Sequence, residues 1–156
     1  MSHSATDGLS GFNYTEGKAG LAAGTTTTYT ITTAFTAVIE GQKYTKGTAA
    51  NAATPTTDGN SAKAFTAVPV GKACNFVFAV NSAGTVSVYQ GALVNTGEPA
   101  DFPALPFTVA PFGYVRASVG TTGAAWTMGS SNLAGPPTGV TFTFRDIGVL
   151  PARPTI

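Results

Sequence analysis

Glycine and proline interrupt this chain so often that a helix has almost no room to form. The longest stretch free of both runs from Thr25 to Glu40, and β-branched residues, which favour strands over helices, dominate it. Apolar residues alternate there with threonines, and a period of two places one face of a strand on a core. The residues predicted to face inward are Tyr29, Ile31, Phe35, Ala37 and Ile39. We therefore expect an all-β fold.

Turn sequences predict two β-hairpins. Glu40-Gly41 predicts a two-residue turn into a return strand at residues 42–45, because glycine readily takes the positive φ that such turns need. Residues 75–80 and 85–89 predict the second hairpin, with Gly84 at positive φ. The strand at 75–80 is apolar on both faces, which is typical of a central strand. Further strands are predicted at 113–119, 126–128 and 140–144.

Other segments lack this alternation. Residues 49–62 are predicted to be a mobile loop, and residues 98–111, with four prolines, a stiff extended crossover. We divide the chain into an N-terminal arm (1–15), a β domain (16–150) and an extended C-terminal tail (151–156). The β domain is expected to be a single antiparallel β-sandwich or barrel-like domain, of jelly-roll or immunoglobulin-like size.

Large apolar residues of these strands are expected to form one core. Trp126 is assigned to the core or to an interface, and Cys74 to a small buried apolar position, since no basic side chain except Lys72 lies near it in sequence. A single cysteine excludes a disulfide within the chain. The predicted core residues are Phe76, Phe78, Val80, Val86, Val88, Val115, Phe142 and Phe144.

Charge is scarce in this sequence. Lys, Arg, Asp and Glu make up 10% of the residues, against about 25% in typical soluble domains, and the net charge is +1. So neutral a surface gives little repulsion between copies and suits a protein packed against other molecules. The basic residues are scattered singly, so nucleic-acid binding is not expected. No run of about 18 apolar residues is present, so a membrane is not an expected partner either.

The residue inventory also argues against an enzyme. His3 is the sole histidine and Cys74 the sole cysteine, too few for a zinc site or a histidine-dependent triad in the domain. Glu98 and Asp101 are close enough in sequence for a pair of acids, but within a proline-rich segment we expect them to cap turns. Asp58 lacks the further acidic residues of a calcium loop. No catalytic residue, cofactor or metal is predicted.

A series of short motifs follows the chain from the middle to the C-terminus. They are Ala64-Phe65-Thr66-Ala67, Gly71-Lys72, Asn81-Ser82-Ala83-Gly84, Tyr89-Gln90-Gly91, Phe102-Pro103-Ala104-Leu105-Pro106, Pro111 to Tyr114, Trp126 with Gly129 to Asn132, and Leu150 to Pro154. Together they resemble small structural proteins of tailed-bacteriophage virions, most closely capsid decoration (cement) proteins. The resemblance implies a non-enzymatic protein, made in the host cytoplasm, that binds the outer capsid surface and stabilises contacts between capsomers.

The same resemblance implies the major capsid protein and neighbouring copies, as a dimer or trimer, as partners. Phe12, Tyr14, Arg153 and Ile156 are the predicted interface residues, because they have no place in the strand pattern and could order against a neighbour. A second hypothesis is a head-fibre or tail-associated β-rich module that recognises host surface glycans, although the chain has no heptads for a fibrous shaft. A third is a secreted bacterial β-sandwich, against which the absence of a signal-peptide pattern weighs.

Overall fold

The computed structural model describes residues 13–150, which form eleven strands and contain no helix. The predicted all-β fold is confirmed for this part of the chain. The strands are β1 (Tyr14–Glu16), β2 (Leu21–Ala23), β3 (Tyr29–Ile31), β4 (Phe35–Ile39), β5 (Gln42–Lys46), β6 (Ala49–Ala52), β7 (Lys72–Asn81), β8 (Val86–Gln90), β9 (Val94–Asn95), β10 (Val109–Val119) and β11 (Val140–Asp146).

A five-stranded antiparallel sheet forms the centre of the molecule. Its strand order is β11-β10-β7-β8, and the short β9 pairs with β7 beside Lys72 and Ala73. Strands β7 and β10 are the longest and pair from Val109 opposite Asn81 to Ser118 opposite Ala73. Both are buried along almost their whole length. This confirms that the apolar strand around residues 75–80 is central.

Two smaller antiparallel sheets pack on one face of the central sheet and give a sandwich-like domain. Their strand orders are β1-β4-β5 and β2-β3-β6. Ile31 of β3 and Phe35 of β4 belong to the same buried cluster as Phe78 of β7 and Phe112 of β10. The main core therefore lies between the small sheets and the central sheet.

Aromatic rings connect the layers of this core. The ring centroid of Phe78 lies 5.3 Å from that of Tyr29 and 6.2 Å from that of Phe112. Phe112 in turn lies 5.0 Å from Phe35. Trp126 is fully buried and lies 5.8 Å from Phe76. Because buried aromatic side chains remove large apolar areas from water, these contacts hold the two small sheets onto the central one.

A β-bulge interrupts the pairing register at the start of β10. The register between β10 and β7 shifts between Pro111 and Gly113, which leaves Phe112 as the extra residue, its side chain in the main core. Bulges are among the few places where a sheet accepts proline. Thr15 of β1 fastens to this point, because its Oγ1 donates to the carbonyl of Pro111 at 3.0 Å and its N–H donates to that of Gly148 at 2.9 Å.

Most of the predicted turns and core residues are confirmed. Glu40 and Gly41 both have positive φ, 51° and 79°, in a tight turn between β4 and β5, and Gly84 has a φ of 82° between β7 and β8. Val86, Phe142 and Phe144 are only partly buried, and they pack against the core. The predicted core residues that are fully buried are Phe76, Phe78, Val80, Val88 and Val115.

Three predicted elements differ from the structure. Residues 25–40 form two strands, β3 and β4, in different sheets, because the chain leaves one sheet at the exposed residues 32–34. The segment predicted to be a mobile loop at 49–62 begins with β6, which pairs with β3. Residues 126–128 are not a strand, and Trp126 makes only an isolated bridge to Val68. In each case pairing with distant residues, which a local pattern does not encode, decided the outcome.

The described residues include the end of the predicted N-terminal arm. Tyr14 and Thr15, predicted to lie in that arm, belong to β1 and pair with Val38 and Ala37 of β4. Residues 1–12 and the predicted tail at 151–156 lie outside the described residues.

Replacing Phe78 by alanine should lower the free energy of unfolding by about 3–5 kcal/mol, as truncation of a buried phenylalanine does. The reason is that its ring joins Tyr29 and Phe112 across the two layers. Urea unfolding followed by tryptophan fluorescence measures this change, and Phe107→Ala, at an exposed phenylalanine, is the matched control. Equal midpoints for the two variants would contradict the account of the core.

Candidate functional site

A proline-rich segment, rather than a fourth sheet, covers the opposite face of the central sheet. Val77, Ala79 and Tyr114 form a second apolar cluster there, and Phe102 and Leu105 of the segment pack against it. The ring centroids of Phe102 and Tyr114 lie 4.9 Å apart. The predicted crossover at 98–111 is therefore a cover for the sheet as well as a connection.

Two buried polar side chains of the sheet fasten this cover. Arg116 donates from Nη2 to the carbonyl oxygen of Glu98 at 2.7 Å, and Asn75 donates from Nδ2 to that of Ala100 at 2.9 Å. Both side chains are almost fully buried. Because a buried charged or amide group is costly without a hydrogen-bond partner, these bonds fix the start of the segment against the sheet.

The far end of the segment leaves an apolar groove of about 200 Å³. Phe107 lines this groove with 71% of its surface exposed, and Val149, which also lines it, is 40% exposed. Large apolar side chains gathered at one exposed place mark an interaction surface more often than single exposed ones do. The groove is lined by Asn13, Leu105, Pro106, Phe107, Val109, Pro111, Val149 and Leu150.

Asn13 holds the groove together from one side. Its Nδ2 donates to the carbonyl oxygens of Phe107, at 2.6 Å, and Val109, at 2.8 Å. Its Oδ1 accepts a hydrogen bond from the N–H of Glu40 at 2.9 Å. One amide side chain thus connects the proline-rich segment, the start of β10 and the β4–β5 turn. The groove has a fixed backbone frame even though its apolar side chains are exposed.

The groove lies where the described chain begins and ends. Asn13 is the first described residue and Leu150 the last, and both line it. Of the predicted interface residues, Tyr14 is half-buried in β1 and does not line the groove. Phe12, Arg153 and Ile156 lie outside the described residues.

Phe107 and Val149 were missed by the sequence reasoning. Leu105, Pro106 and Phe107 follow one another in a segment with no strand pattern, so a large apolar residue there had no assigned neighbour. The lack of an assigned neighbour for this apolar residue is the signal that the sequence offers. The segment is predicted only as a stiff crossover, because alternation of apolar residues reports burial only within strands.

Of the acidic residues considered in the sequence, Glu98 caps a turn and Asp58 caps the edge of a sheet. Glu98 accepts a hydrogen bond at Oε2 from the N–H of Asn95 at 3.2 Å, which closes a turn, and Asp101 is exposed. Asp58 accepts at Oδ2 from the N–H of Ser61 at 2.8 Å and at Oδ1 from the N–H of Gln90 at 2.9 Å. The second bond occupies a backbone donor at the outer edge of β8.

Cys74 is fully buried in β7, as predicted. Burial raises the pKa of its thiol to about 11, and hydrogen bonding with Gln90 and Gly91 opposes this shift only in part. A thiol with that pKa is almost entirely protonated at neutral pH, and the thiolate is the reactive form. The residue therefore has the character of a packing side chain.

No group of three or more His, Cys, Asp or Glu side chains is placed to hold a metal ion within residues 13–150. Nor does this part of the chain contain a helix long and apolar enough to cross a membrane.

Comparison of the chain with protein-family models, with curated proteins and with solved structures found no match.

Asp58 provides a pH-dependent test of the edge cap. Partial burial raises the pKa of Asp58, but hydrogen bonds from Gln90, Ser61 and Asn60 outweigh it and hold the pKa below its usual value. A lowered folded-state pKa stabilises the fold above the unfolded pKa of about 4, and the effect is lost as pH falls through the lower folded value.

Asp58→Asn should accordingly lower the free energy of unfolding by about 1–2 kcal/mol at pH 7, because charge-assisted bonds are weakened. The difference in the free energy of unfolding between the variant and the wild type should become smaller as the pH falls below 4. Chemical denaturation at several pH values measures it, with Asp101→Asn at an exposed position as control. A difference in unfolding free energy that stays constant with pH would show that the Asp58 charge contributes nothing to stability.

Proposed function

We propose that this protein is a non-enzymatic capsid decoration, or cement, protein that binds the outer surface of a phage head and stabilises contacts between capsomers. The observation that carries the proposal is the apolar groove beside Phe107, an exposed apolar surface whose backbone is held by the hydrogen bonds of Asn13. The motifs that resemble tailed-phage structural proteins supply the class of partner, the major capsid protein.

The surface chemistry supports a role in close packing. A net charge of +1, with charged residues at only 10% of the chain, imposes little repulsion on neighbouring subunits. Strand β11 presents Thr141, Thr143 and Arg145 outward, so its exposed face is mainly threonine hydroxyls and methyls. Such a surface can approach a neutral partner without leaving unpaired charges behind.

The proposed mechanism is the addition of buried area across a seam between capsomers. Insertion of the Phe107 side chain into a complementary pocket would contribute about 1.5–3 kcal/mol per copy. Many copies on one shell act together, because the shell opens at a seam only where the bridging contacts are broken. A modest contact per subunit is therefore enough to resist outward pressure.

In the alternative, a glycan-binding module, the binding site would be a polar cleft. It is lined in part by Asp58, Ser61, Thr66 and Gln90. Hydrogen bonds within the protein already engage these groups, however. The Gln90 side chain donates to the carbonyl of Thr66 at 2.8 Å and accepts from its N–H at 2.9 Å, and both Asp58 oxygens accept backbone N–H groups. The polar groups of this cleft are used in hydrogen bonds along the edge of β8, so we favour the docking role of the groove beside Phe107.

Phe107→Asp should weaken binding to purified heads by about 10- to 100-fold, because it places a charge where about 1.5–3 kcal/mol of apolar burial is proposed. Its melting temperature should stay close to that of the wild type, since Phe107 is 71% exposed. Co-sedimentation of the protein with heads stripped of it measures the affinity.

The matched control is Val70→Asp. Val70 is 47% exposed and precedes β7 at its Lys72 end, whereas Phe107 lies near Val109, which pairs with Asn81 at the other end. Ten strand residues separate the two places by about 30 Å. Binding that is unaffected by Phe107→Asp, or a virion content of tens rather than hundreds of copies, would contradict the proposed function.

A further inference from the structure

We propose that the groove beside Phe107 binds the C-terminal segment, residues 151–156, of a second copy of this chain. The segment follows directly on Leu150, which itself lines the groove. The inference concerns the same surface as the proposed function and goes beyond it: it assigns the occupant of the groove in the free protein, whereas the proposed function assigns the partner of this surface on a head. It is tested in solution without any shell, so that either proposal can fail alone.

The chemistry of the segment fits the groove. Its sequence, Pro151-Ala152-Arg153-Pro154-Thr155-Ile156, ends on a large apolar side chain and contains two prolines. Proline fixes φ near −65° and favours an extended backbone in the residue before it, so the segment loses little conformational freedom on binding. The groove offers apolar lining side chains, among them Leu105, Phe107 and Val149.

Charge supplies a second point of fit. Arg153 is the one charged residue of the segment. Glu40 is exposed and lies at the same corner as the groove, because its N–H donates to Asn13 Oδ1 at 2.9 Å. Among residues 13–150 the Glu40 carboxylate has no ion pair. Arg153 and Glu40 carry opposite charges, so a docked segment whose Arg153 reaches this corner gains an electrostatic attraction.

Geometry favours a second copy over the same chain. For Ile156 to enter the groove of its own chain, five residues would have to reverse direction directly after Leu150. Prolines at 151 and 154 favour an extended path instead, on which six residues span about 20 Å. The origin of the segment and its binding groove share one surface patch. Two copies related by a two-fold axis at this patch therefore bring each segment to the other's groove, which closes a dimer.

Disulfide trapping between differently tagged chains tests this directly. Phe107→Cys in one chain and Ile156→Cys in the other should give a mixed, covalently linked dimer under mild oxidation of an equimolar mixture. Cys74 is fully buried, with its pKa raised by burial, so it does not compete. Val70→Cys mixed with Ile156→Cys is the control, because Val70 is exposed near the opposite end of β7.

We expect at least a tenfold excess of the Phe107–Ile156 link over the Val70–Ile156 link, and loss of the dimer on size-exclusion chromatography when residues 151–156 are removed. Equal yields from the two mixtures would overturn the inference. So would a link that forms only within one chain carrying both Phe107→Cys and Ile156→Cys, or no link at all. Binding of the protein to heads is measured separately and decides only the proposed function.

Discussion

The rest of this structure depends on one constraint, the burial of β7 and β10 on both faces. A ten-residue and an eleven-residue strand with apolar residues on each side need two covers. The two small sheets supply one cover through the rings of Tyr29 and Phe35, and the proline-rich segment supplies the other through Phe102 and Leu105. The second cover ends in the groove beside Phe107, and this is how the packing of the core creates an exposed surface.

The main core and the groove beside Phe107 lie in different parts of this structure. The aromatic contacts of the main core lie on the face of the central sheet opposite the proline-rich cover, whereas the groove is framed by backbone atoms that Asn13 holds in place. The outer edge of β8 is blocked by two hydrogen bonds. The N–H of Gln90 donates to the carboxylate of Asp58, and the carbonyl of Val88 accepts from the N–H of Gly59. Occupied edges of this kind oppose uncontrolled sheet extension.

Sequence reasoning succeeded where a local rule carries the information. Alternation identified the buried faces of β3, β4 and β11, and glycine chemistry identified the turns at Gly41 and Gly84. It failed where pairing partners are distant in sequence. β6 forms because Ala52 meets Tyr29, and Trp126 is fixed by Val68 without a strand. The groove was not predictable either, since it requires Asn13, Phe107 and Val149 to meet, and no periodic pattern relates them.

The central claim is that the groove beside Phe107 is the docking surface of the assembled protein. Hydroxyl-radical footprinting of free and head-bound protein, both lacking residues 151–156 so that no second copy covers the groove, tests it most directly when read by mass spectrometry at single residues. The account predicts that oxidation of Phe107 and Val149 falls several-fold on binding, while oxidation of Val70, which is 47% exposed, is unchanged. Protection of Val70 with Phe107 still fully oxidised would contradict the account.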